Sequence, residues 1–227
     1  WSFSASRRDN QALAELGFVV VQLEGSCNPD RSKSFHDACY GEMGENTLPD
    51  QISGLKQLQE KYKFLDLDKV GIWGHSGGGF ATAAAMFKYP DFFKVGISES
   101  GNHDNRNYED DWGERYIGLE TKDSNGVSNY EKQANQTFAK DLKGKLLLIH
   151  GGMDDNVPPY NSYLVADALI KANKDFDFLL LPNARHGFGM DSDYIMRRRW
   201  DYFLAHLMQA TTPKEYLIKV DPDPRLK

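Results

Sequence analysis

The chain has 227 residues, a net charge of −6 and 40% hydrophobic residues, values that fit an ordinary globular protein of one or two domains. The acidic balance disfavours a nucleic-acid-binding surface, and the longest apolar run, residues 17–23, falls far short of the roughly 20 residues that cross a bilayer. Two cysteines, Cys27 and Cys39, are too few for a disulfide-rich miniprotein or a four-cysteine zinc site. They could pair with each other, but the sequence does not show it.

Strand and helix patterns alternate along the chain. Apolar residues at helical spacing predict helices over 4–16, 47–62, 80–89, 160–172 and 194–208. Short β-branched or leucine-rich runs predict strands over 18–23, 70–73, 93–98, 146–149 and 176–181. This alternation predicts an α/β fold with a mainly parallel sheet in one domain, residues 1–210, followed by a tail at 211–227.

Residues 74–78 read Gly-His-Ser-Gly-Gly and match the pattern Gly-x-Ser-x-Gly. The pattern is weak alone, but a predicted strand precedes it and a predicted helix follows it, as a nucleophile elbow requires. Gly74, Gly77 and Gly78 suit the tightness of such a turn. The alternative interpretation, a glycine turn that binds phosphate, lacks the Lys-Ser/Thr pair of a P-loop. The context therefore predicts Ser76 as a nucleophile.

A serine hydroxyl needs a base, and in this kind of fold the acid and then the histidine follow the serine along the chain. His186 comes after the predicted strand 176–181, and Asp154 and Asp155 come after the predicted strand 146–149. The carboxyl ends of parallel strands form one edge of the sheet, where α/β proteins place their sites. His186 is therefore the predicted base, with either aspartate as its partner.

The other histidines are not predicted to be catalytic. His36 and His103 fall in predicted loops and are expected to be solvated, His75 occupies the variable position of the elbow, and His150 is expected to be structural. None has the paired spacing of a metal site, so no metal ligand is predicted.

Three motifs in order resemble the catalytic domain of the prolyl oligopeptidase family of serine peptidases, most closely its dipeptidyl peptidase IV branch. They read GHSGGGF at 74–80, WGERYIG at 112–118 and HGGMDDNV at 150–157, and the resemblance spans roughly residues 16–207. It implies an α/β-hydrolase fold with Ser76 as nucleophile and His186 as base. It also implies that Asp154, the first aspartate of the pair, is the triad acid.

The resemblance further implies a substrate pocket. The amide of Gly77, where relatives often carry Tyr, matches one oxyanion donor, and Asn156 matches a residue that binds a substrate carbonyl. Tyr108 and Trp112 match two aromatic positions lining the pocket for a proline-like side chain, with Trp at the second where Tyr is common. An aromatic patch that only packs the insertion at 102–129 is the alternative interpretation.

Some features depart from the family pattern. Residues 24–29 differ from the Asp-Gly-Arg-Gly of many relatives, and the 227 residues contain none of the β-propeller that family members carry before the hydrolase domain. In the dipeptidyl branch the propeller supplies the carboxylates that hold the substrate amine. The acidic residues within 109–114 could attract an amine, although a solvated acidic loop is the favoured interpretation.

Counting back from the elbow, residues 18–23 correspond to the fourth strand of the resembled fold. The third strand, with a loop whose tyrosine helps bind the oxyanion, would lie before Trp1. We therefore expect a fragment of a larger enzyme or one product of a cleaved chain, lacking its first strands. The corresponding hypothesis is that the 227 residues alone neither fold stably nor turn over substrate well.

The predicted function is a serine peptidase acting through a Ser-His-Asp triad and an acyl-enzyme, without a cofactor. The resemblance favours a dipeptidyl aminopeptidase with Pro or Ala in the second position. The alternatives are an acylaminoacyl peptidase, a carboxylesterase, and a catalytically silent hydrolase-like binding domain. Expected partners are a peptide substrate, a β-propeller in the parent chain and a second copy in a homodimer, with no nucleic acid and no membrane span. The sequence assigns no compartment, and the resemblance alone points to the periplasm or to secretion.

Overall fold

The computed structural model describes residues 8–28, 31–44 and 47–218, and four parallel strands form its central sheet. In spatial order the strands are β1 (Val70–His75), β2 (Phe93–Glu99), β3 (Lys145–Gly151) and β4 (Asp177–Leu181). The α-helices in the described residues are α1 (Arg8–Glu15), α2 (Lys33–His36), α3 (Leu48–Lys61), α4 (Gly77–Lys88), α5 (Asp110–Ile117), α6 (Tyr160–Lys171) and α7 (Ser192–Leu207). The predicted α/β fold with a parallel sheet is confirmed.

Helices cover both faces of the sheet, which is why its strands are apolar on both sides. Alternate residues of β3 point to opposite faces. Leu146 and Leu148 pack with buried residues of α3, α4 and α6, whereas Leu147 and Ile149 pack with buried residues of α1 and α7. Each face of the sheet therefore has its own core.

The predicted elements agree with the structure to within a few residues, with one exception. Residues 4–7 of the first predicted helix lie outside the described residues, and α1 begins at Arg8. The helix predicted from residue 80 begins earlier, at Gly77, directly after the elbow.

The exception is the buried strand predicted over 18–23, which is wrong. These residues are extended, but they pair with no strand in the described part of the chain, and Val19 is 58% exposed. Phe18 and Val20 do pack against the core that α1 and α7 share. The apolar run was therefore a correct sign of partial burial, but a strand also needs a hydrogen-bonding neighbour, which composition does not reveal.

The insertion after β2 carries α5 and packs against the loop before α3. Met43 of that loop is buried with Phe80, Ile117 and Tyr130, and Trp112 of α5 packs on the same cluster. The Gly41 amide donates to the carbonyl of Tyr116 at 2.9 Å, so backbone and side-chain contacts join the two segments.

A disulfide closes the first part of the same loop. It joins Cys27 to Cys39, whose Cα atoms lie 5.5 Å apart. Further on, residues 211–218 have no regular secondary structure, and 219–227 lie outside the described residues. Among the helices described, none is both long and apolar enough to cross a membrane.

Candidate active site

Ser76 occupies the tight turn between β1 and α4, with φ 60° and ψ −122°. A positive φ is costly for a residue with a Cβ, so the surrounding structure must hold it. The Ser76 amide donates to the carbonyl of Glu99 at the end of β2, at 2.8 Å. A Cβ on Gly74 would lie 2.4 Å from the Gly78 carbonyl oxygen, and one on Gly79 would lie 2.4 Å from the Glu99 oxygen. The backbone thus has the strand–turn–helix form of a nucleophile elbow.

The steric argument from sequence is wrong for two of its glycines. Nothing lies within 4 Å of a Cβ built on Gly77 or Gly78, so the crowding falls on Gly74 and Gly79 instead. Gly77 is the first residue of α4, and a first-turn amide has no acceptor within its own helix. The Gly77 amide is therefore available to donate a hydrogen bond to an acceptor outside the helix, next to Ser76.

His186 and Asp154 are brought together by the loops after β4 and β3. His186 Nδ1 donates to Asp154 Oδ2 at 2.8 Å. The other carboxylate oxygen, Oδ1, accepts from the amides of Val157 at 2.9 Å and Asn156 at 3.1 Å. With its side chain fully buried, Asp154 is fixed on both oxygens and in turn fixes the tautomer of His186.

These contacts also set the charge of Asp154. Burial acts to raise the pKa of the carboxyl, but the hydrogen bond from His186 and those from the two amides outweigh it. The net pKa of Asp154 lies below its usual value. The carboxylate therefore stays ionised at neutral pH, as a group that stabilises an imidazolium must.

His150 contacts the same carboxylate oxygen, Oδ2, as His186 does. Its Nε2 lies 3.0 Å from the carbonyl of Val157 and 3.3 Å from Asp154 Oδ2, and its Nδ1 lies 2.7 Å from Ser162 Oγ. Since a carbonyl only accepts, Nε2 carries the proton and Nδ1 accepts from the serine. Burial lowers the pKa of His150 and favours this neutral form.

Asp155 points elsewhere. Its carboxylate pairs with Arg185, and both side chains are about two-thirds exposed. The residues alone could not choose between the two aspartates as partner of His186; the structure places Asp154 against it and Asp155 in solvent.

No hydrogen bond joins His186 to Ser76, although both are described residues. The imidazole side chain is 23% exposed at the site, and Ser76 is half-buried. Nucleophile–base hydrogen bonds are commonly long or poorly aligned without substrate and tighten in the reacting complex.

Two histidines differ from the expectations for them. His75 contacts His186: its Nε2 donates to the His186 carbonyl at 2.6 Å, and the ring centroids lie 4.5 Å apart. His103 is fully buried rather than solvated, with Nδ1 accepting from Asn135 at 2.9 Å. Sequence reasoning missed both because the position of a residue along the chain does not show which distant residues it contacts. For His75, the one available signal was an imidazole next to the nucleophile. His36 is exposed, as expected.

The residues predicted to form the pocket also lie together. Tyr108 Oη donates to Asn156 Oδ1 at 3.3 Å. The Tyr108 and Trp112 rings meet edge to face at 5.4 Å, and Trp112 contacts Tyr116 at 4.9 Å. We call Tyr108, Trp112 and Tyr116 the aromatic wall. Because Asn156 lies two residues after Asp154, the wall adjoins the triad loop.

The acidic residues beside the wall are exposed. Asp110 and Asp111 occupy the first turn of α5, where negative charge favours the helix, and Glu109 precedes them. Burial first, and Glu109 second, raises the pKa of Tyr108. Its hydroxyl therefore stays protonated and available as a donor to Asn156.

Comparison with known proteins places this geometry in a family. The family model for the prolyl oligopeptidase family matches residues 1–210. The chain belongs to the prolyl oligopeptidase family. The family resemblance found in the sequence motifs is thereby confirmed.

Individual family members are moderately similar. Dipeptidyl peptidase 8 of Homo sapiens is 31% identical over 201 residues, covering 87% of this chain and 22% of the relative. Venom dipeptidyl peptidase 4 of Vespula vulgaris is 31% identical over 175 residues, covering 76% and 22%. The crystal structure of Porphyromonas gingivalis dipeptidyl peptidase 4 superposes with a TM-score of 0.73 at 26% identity, covering 81% of this chain and 26% of that one. These similarities confirm the α/β-hydrolase fold, and the chain spans about a fifth to a quarter of each relative.

Proposed function

We propose that this chain forms the catalytic domain of a serine peptidase, with Ser76 as nucleophile, His186 as base and Asp154 as the acid that orients it. One observation carries the proposal. A buried, ionised Asp154 accepts from His186 Nδ1, in loops at the same sheet edge as the strained Ser76 turn. This leaves His186 Nε2 as the nitrogen that can take the serine proton.

The reaction follows from these roles. Ser76 Oγ attacks the carbonyl carbon of the peptide while its proton passes to His186 Nε2. The Gly77 amide donates to the developing oxyanion at the amino end of α4. As the C–N bond breaks, the proton moves from Nε2 to the departing amine. Water then attacks the acyl-Ser76 ester while His186 Nε2 takes its proton. That proton passes to Ser76 Oγ as the ester bond breaks, which releases the acid and restores the serine.

We propose a dipeptidyl aminopeptidase with Pro or Ala second from the amino terminus. The aromatic wall suits a pyrrolidine ring, and Asn156 can donate its amide hydrogens to a substrate carbonyl. The names of two similar proteins, dipeptidyl peptidase 8 and venom dipeptidyl peptidase 4, support the release of dipeptides. A β-propeller in the parent chain, a homodimer, and the division into a domain at 1–210 and a tail at 211–227 belong to the proposal.

An acylaminoacyl peptidase or an esterase would use the same triad with a different pocket. Rates on a Gly-Pro-anilide, an N-acetyl-Ala-anilide and a short-chain ester separate the three. We expect the free-amine Gly-Pro substrate to be cleaved fastest, and a preference for either of the others would overturn the dipeptidyl assignment.

The triad itself is tested with a fluorophosphonate probe on the protein at its natural length, with mass spectrometry to locate the label. We expect labelling at Ser76 that His186→Ala abolishes and Asp155→Asn leaves intact. A folded protein that takes no label would contradict the peptidase proposal and favour a silent binding domain.

A further inference from the structure

His75 is the residue outside the proposed triad that holds the base most directly. It ends β1, one position before the nucleophile, and reaches across to the loop after β4. Its Nε2 lies 2.6 Å from the His186 carbonyl oxygen, and its ring lies 4.5 Å from the His186 ring, tilted by 59°. Phe188 closes another side of the His75 ring, edge to face at 5.4 Å. His75 therefore contacts both the backbone and the side chain of residue 186.

The hydrogen bond defines the protonation state of His75. The carbonyl of His186 only accepts, so His75 Nε2 must carry a hydrogen. Burial lowers the pKa of His75, which keeps the second nitrogen, Nδ1, unprotonated. A neutral ring suits the site, because a charged His75 only 4.5 Å away would oppose the imidazolium that His186 forms during the reaction.

The same contact fixes where the base can reach. Asp154 holds His186 at Nδ1, and this alone leaves the imidazole free to swing about that bond. The His75 hydrogen bond to the main chain of residue 186 fixes the backbone from which the side chain extends. The packed His75 ring then limits the swing on one side. Base placement thus depends on two anchors from different parts of the fold, Asp154 in the loop after β3 and His75 at the end of β1.

We propose that His75 is a positioning residue that sets the distance from His186 Nε2 to Ser76 Oγ through its hydrogen bond to the His186 carbonyl. This inference rests on the proposed peptidase function. It assigns His75 no contact with substrate, so its removal acts on the chemical step rather than on binding. A displacement of the base of the order of 1 Å can lower the rate by about 100-fold.

The test compares two replacements in the protein at its natural length. His75→Phe keeps a planar ring but removes the donor. His75→Gln restores a donor, because Gln Nε2 sits as many bonds from the backbone as His Nε2. We expect His75→Phe to lower kcat for Gly-Pro-anilide by about 10- to 100-fold with little change in KM. We expect His75→Gln to recover most of that loss.

The control is His206→Gln, which removes an exposed imidazole near the carboxyl end of α7 that contacts Tyr202. It should leave kcat unchanged. Thermal melting of each variant identifies any that misfold. If His75→Phe does not fold, the test rests on His75→Gln, which should stay close to the wild-type kcat. Unchanged kcat in His75→Phe, or equal losses in the Phe and Gln variants, would overturn the role of the hydrogen bond. A wild-type protein that neither labels nor cleaves would overturn the proposed function instead.

Discussion

The triad loops and the aromatic wall lie side by side but are held very differently. Asp154 is fully buried and accepts hydrogen bonds on both carboxylate oxygens, and His186 is anchored at its ring and its backbone. The wall is partly exposed, and within the described residues one hydrogen bond of 3.3 Å, from Tyr108 to Asn156, joins it to the loop that carries Asp154. Under the proposed function, the chemistry therefore falls to closely held residues, whereas recognition falls to a partly exposed surface held mainly by ring contacts.

The largest expected effect comes from removing the negative charge of Asp154. Asp154→Asn should lower kcat by about 10⁴-fold, because an amide no longer fixes the productive His186 tautomer or stabilises its charged form. Asp155→Asn is the matched control, one residue away and paired with exposed Arg185, and should stay close to wild type. Steady-state rates on Gly-Pro-anilide decide the matter, and a larger loss at Asp155 would reverse the assignment.

A second test addresses a buried hydrogen-bonded group, His103 and Asn135, that packs near the aromatic wall. His103 Nδ1 accepts from Asn135, whose amide also donates to the carbonyl of Phe80, a residue packed beneath the wall. Burial lowers the pKa of His103 to about 3, with a smaller contribution from His150. Protonation of His103 at Nδ1 would place its N–H opposite the N–H donor of Asn135, so the hydrogen bond between them would be lost.

The sign of the pH effect follows from this shift. Below about 6.5 the unfolded chain takes up the His103 proton and the folded protein does not, down to about pH 3. The free energy of unfolding should therefore fall as pH falls through this window, by up to about 1.4 kcal/mol per pH unit. His103→Gln should flatten that slope in urea titrations between pH 7 and 4. Parallel slopes for the two proteins would mean that His103 titrates normally.

How far the sequence predicts this architecture depends on whether the relevant signal is local. The Ser76 elbow and the His186 loop were predictable because each follows a clear strand and lies at its carboxyl end. The choice of Asp154 over Asp155 was not, since both chemistry and spacing were the same; only the resemblance favoured it. Residues 18–23 look like a strand but lack a neighbour to pair with, which is a property of the whole sheet. His75 and His103 act through contacts distant in sequence, His75 with residue 186 and His103 with residue 135.

The third test removes the disulfide from the loop that packs against the aromatic wall. The Cys27–Cys39 disulfide joins residues 12 apart in the loop that buries Met43 against the cluster under Trp112. Replacing both cysteines by serine should lower the free energy of unfolding by about 3 kcal/mol, the scale for closing a loop of this length. KM should rise more than kcat falls, because Asp154 and His186 have no contact with the disulfide. A loss confined to kcat would show that the two regions are not separable.

The smallest expected effect lies in the wall itself. Trp112 has ring neighbours on two sides, Tyr108 at 5.4 Å and Tyr116 at 4.9 Å, and it is half-buried, so part of its side chain is accessible to a substrate ring. Trp112→Tyr keeps an aromatic surface and should change kcat/KM for Gly-Pro-anilide by no more than about 3-fold. Trp112→Ala should lower it by about 5-fold, since an aromatic contact contributes about 1 kcal/mol beyond burial.

The comparison substrate is Gly-Ala-anilide, which has no ring to place on the wall. If Trp112 touches the substrate, Trp112→Ala should penalise the proline substrate more than the alanine one, and mainly through KM. Equal losses on both substrates, accompanied by a lower melting temperature, would instead support the alternative that Trp112 only packs the insertion. Trp112 packs on the Met43 cluster and also borders Tyr108, so substrate preference is the property that distinguishes its two roles.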